Sequence, residues 1–246
     1  MPVYRLDIAY DGTGFRGYAR QEGLRTVQGE LGDALATLLE EPVGTAVAGR
    51  TDAGVHALGQ VVSFATEEAV DTDRFRRSLN GILGPEIAVK EMVVAADDFN
   101  ARFSAEWRRY RYLLDTRPFA EPLTRAFVWH VRRDLDLEVM RSAAAVLVGE
   151  HDFSSFCRSV EGKSNVRRLT ELSLREEDDL ITVWAQANAF CHQMVRSIVG
   201  YLYDVGRGFS LAEGAAQVLA ARDRSTVATV APPHGLTLWE VGYRVH

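Results

Sequence analysis

Gly49-Arg50-Thr51-Asp52-Ala53-Gly54-Val55-His56-Ala57 is a polar, glycine-bracketed segment set between two apolar runs. Before it, residues 43–48 are small and apolar with β-branched Val43, Thr45 and Val47; after it, Gln60-Val61-Val62-Ser63-Phe64 alternates as a half-buried strand does. The spacing predicts a loop hung from a rigid sheet, so that Asp52 is held by the scaffold yet open to a ligand. Arg50 beside it favours an ionised carboxylate and offers planar donors to phosphate. Taken alone, Arg50-Thr51-Asp52 fits a plain turn equally well, because Asp in such a setting bonds its own backbone.

Outward from this loop the chain alternates. Strands are expected at 3–10, 43–48, 60–65 and 87–95, with a helix over 27–39 capped by Thr26 and another over 72–83 opened by Asp71. The second half repeats the order loosely. A strand at 110–114 and a helix at 137–148 closed by Gly149 lead to a hairpin, 169–175 with 180–189, around an acidic turn. Helices at 191–205 and 211–221 and a last strand at 236–245 complete it. The fold class is therefore α+β in two halves, 1–104 and 105–246, with helices to one side of a mainly antiparallel sheet.

Composition constrains function less sharply. At 246 residues, 47% hydrophobic and 25% charged, the chain has the balance of a globular protein; no apolar run approaches a membrane span, and residues 1–5 run straight into a strand pattern, so a cytoplasmic protein is expected. Cys157 and Cys191 show no metal-ligand spacing and make no disulfide framework, which suits a reducing compartment. The net charge of −6 is not the footprint of a generic nucleic-acid binder, but the excess acid lies within residues 1–104. Lys90 and Lys163 are the only lysines, and the arginine-dominated clusters at Arg16, Arg20 and Arg25, at Arg108, Arg109 and Arg111, and at Lys163, Arg167 and Arg168 are local candidates for phosphate.

Several motifs admit more than one chemistry. Gly12-Thr13-Gly14-Phe15-Arg16-Gly17 fits a dinucleotide fingerprint, yet Tyr18 to Arg25 stays polar and holds Gly23 where a helix should open; an arginine-bearing loop that grips RNA fits better, and no nucleotide cofactor is expected. Asp52 and His56 lack further ligands at workable spacing, so no metal is expected. His192 and Arg196, four apart on the expected helix, share a face, His192 in a structural role. Tyr110 and Tyr112 project to one side of a strand and Arg109 and Arg111 to the other, with Tyr112 packing the core. His151-Asp152-Phe153 reads as a packed turn beside Phe156.

In order along the chain, these segments resemble the tRNA pseudouridine synthase A family. The resemblance rests on the loop Arg50 to Ala57, on Tyr10 to Gly17 with Thr26-Val27-Gln28-Gly29-Glu30-Leu31, and on Phe99 to Ala105 leading into Arg108-Arg109-Tyr110-Arg111-Tyr112. Gly149 to Phe156, Phe190 to Arg196 and Ala231 to Leu236 extend it over essentially the whole chain, with one departure, Tyr18-Ala19 where the family commonly has Trp-Gln. It implies two pseudo-symmetric ferredoxin-like halves sharing one sheet with the active cleft between them. It further implies isomerisation of uridine to pseudouridine at positions 38 to 40 of the tRNA anticodon stem-loop by a homodimer without a cofactor. Carried onto this chain, the catalytic set is Asp52 as nucleophile with Arg50 and Arg196, and the substrate contacts are Tyr110, Thr51, His56, Arg16 and Arg20. Two other readings stay open: a non-catalytic RNA-binding or folding module, in which Asp52 is a turn residue, and a nucleoside hydrolase with a carboxylate nucleophile.

Overall fold

The alternation that opens the chain becomes strand β1 (Val3–Tyr10), with Tyr4, Leu6, Ile8 and Tyr10 buried and Arg5 paired to Asp7 at 2.7 Å on the opposite face. A computed structural model describes residues 1–158 and 162–244. The chain divides into two units, residues 1–106 with 237–246, and residues 107–236.

The first unit continues through α1 (Val27–Leu39), β2 (Thr45–Val47), β3 (His56–Ala65), α2 (Thr72–Leu83) and β4 (Ile87–Ala95), and receives β10 (Leu236–Tyr243) from the far end of the sequence. Strand order is β4-β1-β3-β10, with β2 also on β3. β1 runs antiparallel to both neighbours, Leu6 facing Val62 and Met92, whereas β10 runs parallel to β3, Thr237 opposite His56. The buried face carries the helices: Tyr4 stacks on Phe64 at 5.3 Å, and Phe64 on Phe75 of α2 at 6.4 Å. Both helices start at the expected caps, Thr26 accepting from Gly29 N and Asp71 from Arg74 N. Asn80 ties α2 to the sheet by bonding both polar groups of Val89, at 2.9 and 2.7 Å.

β3 begins four residues before the alternating run that announced it. Gly59 reads as a break, but a side chain there would come within 2.3 Å of Trp239 O, so the glycine admits the neighbouring backbone of β10.

The second unit holds β5 (Ala105–Asp115), β6 (Trp129–His130), α3 (Leu137–Leu147), β7 (Gly149–Asp152), β8 (Val166–Glu177), β9 (Leu180–Ala187), α4 (Met194–Gly206) and α5 (Gly214–Ala221). β5, β9, β8 and β7 pair antiparallel in that order, and β6 lies parallel to β5. The β8–β9 hairpin turns on Asp178 and Asp179, both at positive φ (50° and 62°), which matches the right-handed twist of its strands. Tyr112 is a core residue, its ring edge-on to Trp129 at 6.3 Å and its hydroxyl donating to Pro232 O at 2.9 Å. Arg109 lies on the other face, over the Trp184 ring at 4.5 Å and bridged to Glu171 at 3.0 Å.

Three expectations change. The segment with His151 is not a turn but strand β7, because His151 pairs with Arg167 across the β8 ladder. α4 starts at Met194, after Gln193 in the left-handed region (φ 65°), so His192 lies outside the helix that was to align it with Arg196. Cys157 and Cys191, 34 residues apart, are joined, with Cα atoms 5.8 Å apart. The cysteines therefore give no support to a reducing compartment. Among the described residues, no helix is long and apolar enough to cross a membrane.

Buried Asp115 pairs with Arg117 at 2.7 Å, and the hydrogen bonds from that guanidinium, together with one from Arg117 N, outweigh burial and hold its carboxyl below the ordinary value of 3.8. A carboxyl depressed on folding adds stability that is complete above 3.8 and lost as pH falls through the lower folded value. Acid titration of unfolding should show this loss in the parent and a shallower loss in Asp115→Asn. Removing the α2 cap by Asp71→Ala should cost about 1 kcal/mol in denaturant unfolding, since Arg74 N loses its acceptor at 3.0 Å.

Candidate active site

The loop between β2 and β3 is held by its backbone on every side. Ala48 N donates to Val61 O at 2.9 Å before the loop, and within it Val55 N donates to Asp52 O at 3.1 Å, closing a tight turn that starts at Asp52. Tyr18 N, from the loop after β1, donates to Thr51 O at 3.0 Å. Gly12 allows that loop to lie against this one: a Cβ there would stand 2.1 Å from Val55 O. Both the turn reading and the scaffolded-carboxylate reading describe the backbone of Asp52; its side chain is partly exposed, and that of Arg50 is exposed.

Thr51 and His56, expected as substrate contacts, are buried and spend polar atoms on the scaffold. Thr51 Oγ1 is 2.8 Å from the Tyr10 hydroxyl. His56 Nδ1 accepts from Gly12 N at 3.0 Å and lies 3.1 Å from Asp11 Oδ1. Burial acts to raise the Asp11 carboxyl, but hydrogen bonds from the Thr13 hydroxyl and backbone, with His56, hold it below its usual range.

The loop after β1 opens with a short 3-10 turn, Gly12–Gly14, and α1 begins only at Val27. Its arginines are differently employed. Arg20 pairs with Asp33 and donates to Gly29 O at 2.9 Å, and Arg25 bridges Glu30 and Glu86 while lying over the Phe15 ring at 4.5 Å. Arg16 is exposed. Tyr18, at the departure from the family pattern, is fully buried beside the Tyr10 ring at 6.4 Å, and its hydroxyl has no hydrogen-bond partner among the described residues.

In the second unit, Tyr110 is 7% exposed on β5, its ring set edge-on to Phe190 at 5.1 Å. Arg196, on the first turn of α4, is clasped to the segment Ala231 to Leu236: its Nε donates to Ala231 O at 2.8 Å and its carbonyl accepts from Ala231 N at 3.0 Å. Phe190 to Arg196 and Ala231 to Leu236, singled out separately in the sequence, thus meet at one residue.

Sequence reasoning passed over Tyr10 and Gln60 as parts of the site. The signal was present: both put a polar group on the buried face of an otherwise apolar strand.

A family model described as tRNA pseudouridine synthase matches residues 8–104 and 143–244. The tRNA pseudouridine synthase A of Streptomyces griseus is 46% identical to this chain over 97% of it and 87% of the relative. That of Thermosipho africanus is 44% identical over 98% of this chain and 99% of its own length, and that of Shewanella amazonensis 44% identical over 97% and 92%. With relatives this similar along nearly its whole length, and the glycine-bracketed Asp52 loop seated between two strands, the chain belongs to the tRNA pseudouridine synthase family.

Proposed function

We propose that Asp52 is the nucleophile with which this isomerase of the tRNA pseudouridine synthase family converts uridine to pseudouridine, and that its targets are positions 38 to 40 of the anticodon stem-loop. The observation that carries the assignment is the Asp52 loop itself: a carboxylate beside Arg50, on a turn whose flanking backbone is bonded to β3 and to the loop after β1. In the reaction the N1 glycosidic bond breaks, the uracil turns in place, C5 bonds to C1′, and C5 then loses its proton while N1 gains one, so that substrate and product are isomers. Neither C1′ nor C6 is open to a carboxylate inside a stacked helix, so the nucleotide leaves its stack at a cost of a few kcal/mol.

Asp52 attacks C1′ or C6 as an ionised carboxylate, and Arg50 and Arg196 offset the field of the RNA phosphates that opposes ionisation. Tyr110 supplies an aromatic surface worth about 1–3 kcal/mol per stacked base, which nearly offsets the flipping cost. Arg16 and Arg20 hold the RNA backbone; Arg20 would exchange Asp33 for phosphate to do so. The enzyme acts in the cytoplasm as a homodimer on one tRNA and, because substrate and product are isomers, without a redox cofactor. The family match, which covers Asp52 and Arg196, favours this reading over a non-catalytic RNA module.

Asp52→Asn should retain tRNA binding and abolish turnover, read by mapping treated tRNA with a pseudouridine-selective reagent; normal product formation would overturn the assignment, and release of free uracil would point to the hydrolase reading. Tyr110→Ala should lower kcat/KM by about 5- to 150-fold while Tyr110→Phe, which keeps the ring, stays near the parent. An equal collapse of both would move the role from the ring to the hydroxyl. Affinity for tRNA should fall steeply with salt, in proportion to the number of phosphates contacted.

A further inference from the structure

The first unit contains a buried polar chain, outside the proposed catalytic set, that ends on the Asp52 loop. The carboxamide of Gln60 is fully buried in β3. One hydrogen of its Nε2 goes to Gly49 O at 2.7 Å and the other to the Tyr10 hydroxyl at 3.2 Å. Its Oε1 faces Gly49 N at 3.4 Å and Val61 N at 3.3 Å, so both ends of the amide are used. The Tyr10 hydroxyl, which accepts from Gln60, also shares a hydrogen bond with Thr51 Oγ1 at 2.8 Å. The chain thus grips the residue where the loop begins, Gly49, and the residue immediately before the carboxylate, Thr51.

We propose that Gln60 and Tyr10 are positioning residues that fix the Asp52 carboxylate for attack. The assignment rests on Asp52 being the nucleophile. Thr51 and His56 take their places in the same device, His56 securing the exit of the loop through Gly12 N as Thr51 secures its middle. Three observations argue for positioning in preference to direct chemistry. Both polar groups are sealed from solvent, Tyr10 at 4% and Gln60 at 0% exposure. Burial also pushes the Tyr10 phenol up to about 12, against the opposing hydrogen bonds it shares with Thr51 and Gln60, so it exchanges no proton near neutrality. And a carboxamide has no place at a buried strand position unless its partners matter, because an apolar side chain would fill the site without the desolvation cost.

The contact is tested by a matched pair of hydroxyl deletions. Tyr10→Phe removes a hydroxyl bonded to the loop; Tyr18→Phe removes one from the neighbouring ring that has no hydrogen-bond partner among the described residues. Tyr10→Phe should lower kcat roughly 10- to 100-fold per folded molecule with KM for tRNA little changed, the response to a nucleophile displaced by a fraction of an ångström. Tyr18→Phe should leave kcat at the parental value. Gln60→Met should resemble Tyr10→Phe, and the double variant should fall no further than Gln60→Met alone, because both act through one chain of bonds. Hydrogen exchange adds a readout free of catalysis: the Gly49 and Val55 amides should exchange faster in Tyr10→Phe.

Parental kcat in Tyr10→Phe, a rise in KM at constant kcat, or an equal loss in Tyr18→Phe would each overturn the proposal. Should Gln60→Met fail to fold, the isosteric Tyr10→Phe decides alone. Asp52→Asn run in parallel separates the two claims: an active Asp52→Asn removes the nucleophile assignment, whereas an inactive one beside a fully active Tyr10→Phe removes only the positioning role.

Discussion

A side chain on a loop can meet a ligand reproducibly only if the backbone that carries it is fixed, and around Asp52 that fixing is done by backbone hydrogen bonds. The Asp52 loop takes bonds from Tyr18 N, closes on itself through Val55 N, and rests on the carboxamide of Gln60. These bonds act on the backbone, so the chain on either side of Asp52 is held. The cost is a buried amide and a buried phenol inside an apolar sheet, and that cost is offset only because every donor among them has an acceptor.

Charge follows a related logic. A chain with a net charge of −6 binds a polyanion only through local faces, and many of its arginines are already paired: Arg20 with Asp33, Arg25 with Glu30 and Glu86, Arg109 with Glu171. The exposed pairs among these, those of Arg20 and Arg25, are worth little in water, about 1 kcal/mol or less. They hold guanidinium groups in place at small energetic cost, so an acidic total is compatible with a substrate that carries one negative charge per nucleotide.

Most of the fold was legible because its elements are locally consistent. β1, α1, α2 and β4 carry clean periodicity and caps, and the structure gives them the expected limits. What escaped was decided by partners distant in sequence. Gly59 hides the start of β3 because only the arrival of Trp239 explains it; Arg108 and Arg109 obscure the first half of β5; and Gly149 to Asp152 becomes a strand only because β8 lies beside it. The joined cysteines belong to the same class, since a pair of thiols announces nothing about its own proximity. In the site, the loop was legible as a whole, but the inward aim of Thr51 and His56 was not, because a polar residue type does not say whether it faces a ligand or a neighbour.

The last strand carries a temporal consequence. β10 leaves residues 107–236 and joins the unit that opens the chain, lying parallel to β3 at His56 and Ala57, immediately after the Asp52 loop. A ribosome therefore releases the partner of His56 only after residues 57–236 have been made. The unit that opens the chain cannot be completed as it emerges, and the His56–Ala57 end of β3 waits for β10 while β2 already covers Val62 to Phe64. Assembly of the strand that follows the Asp52 loop is thereby tied to the arrival of Thr237 and Leu238.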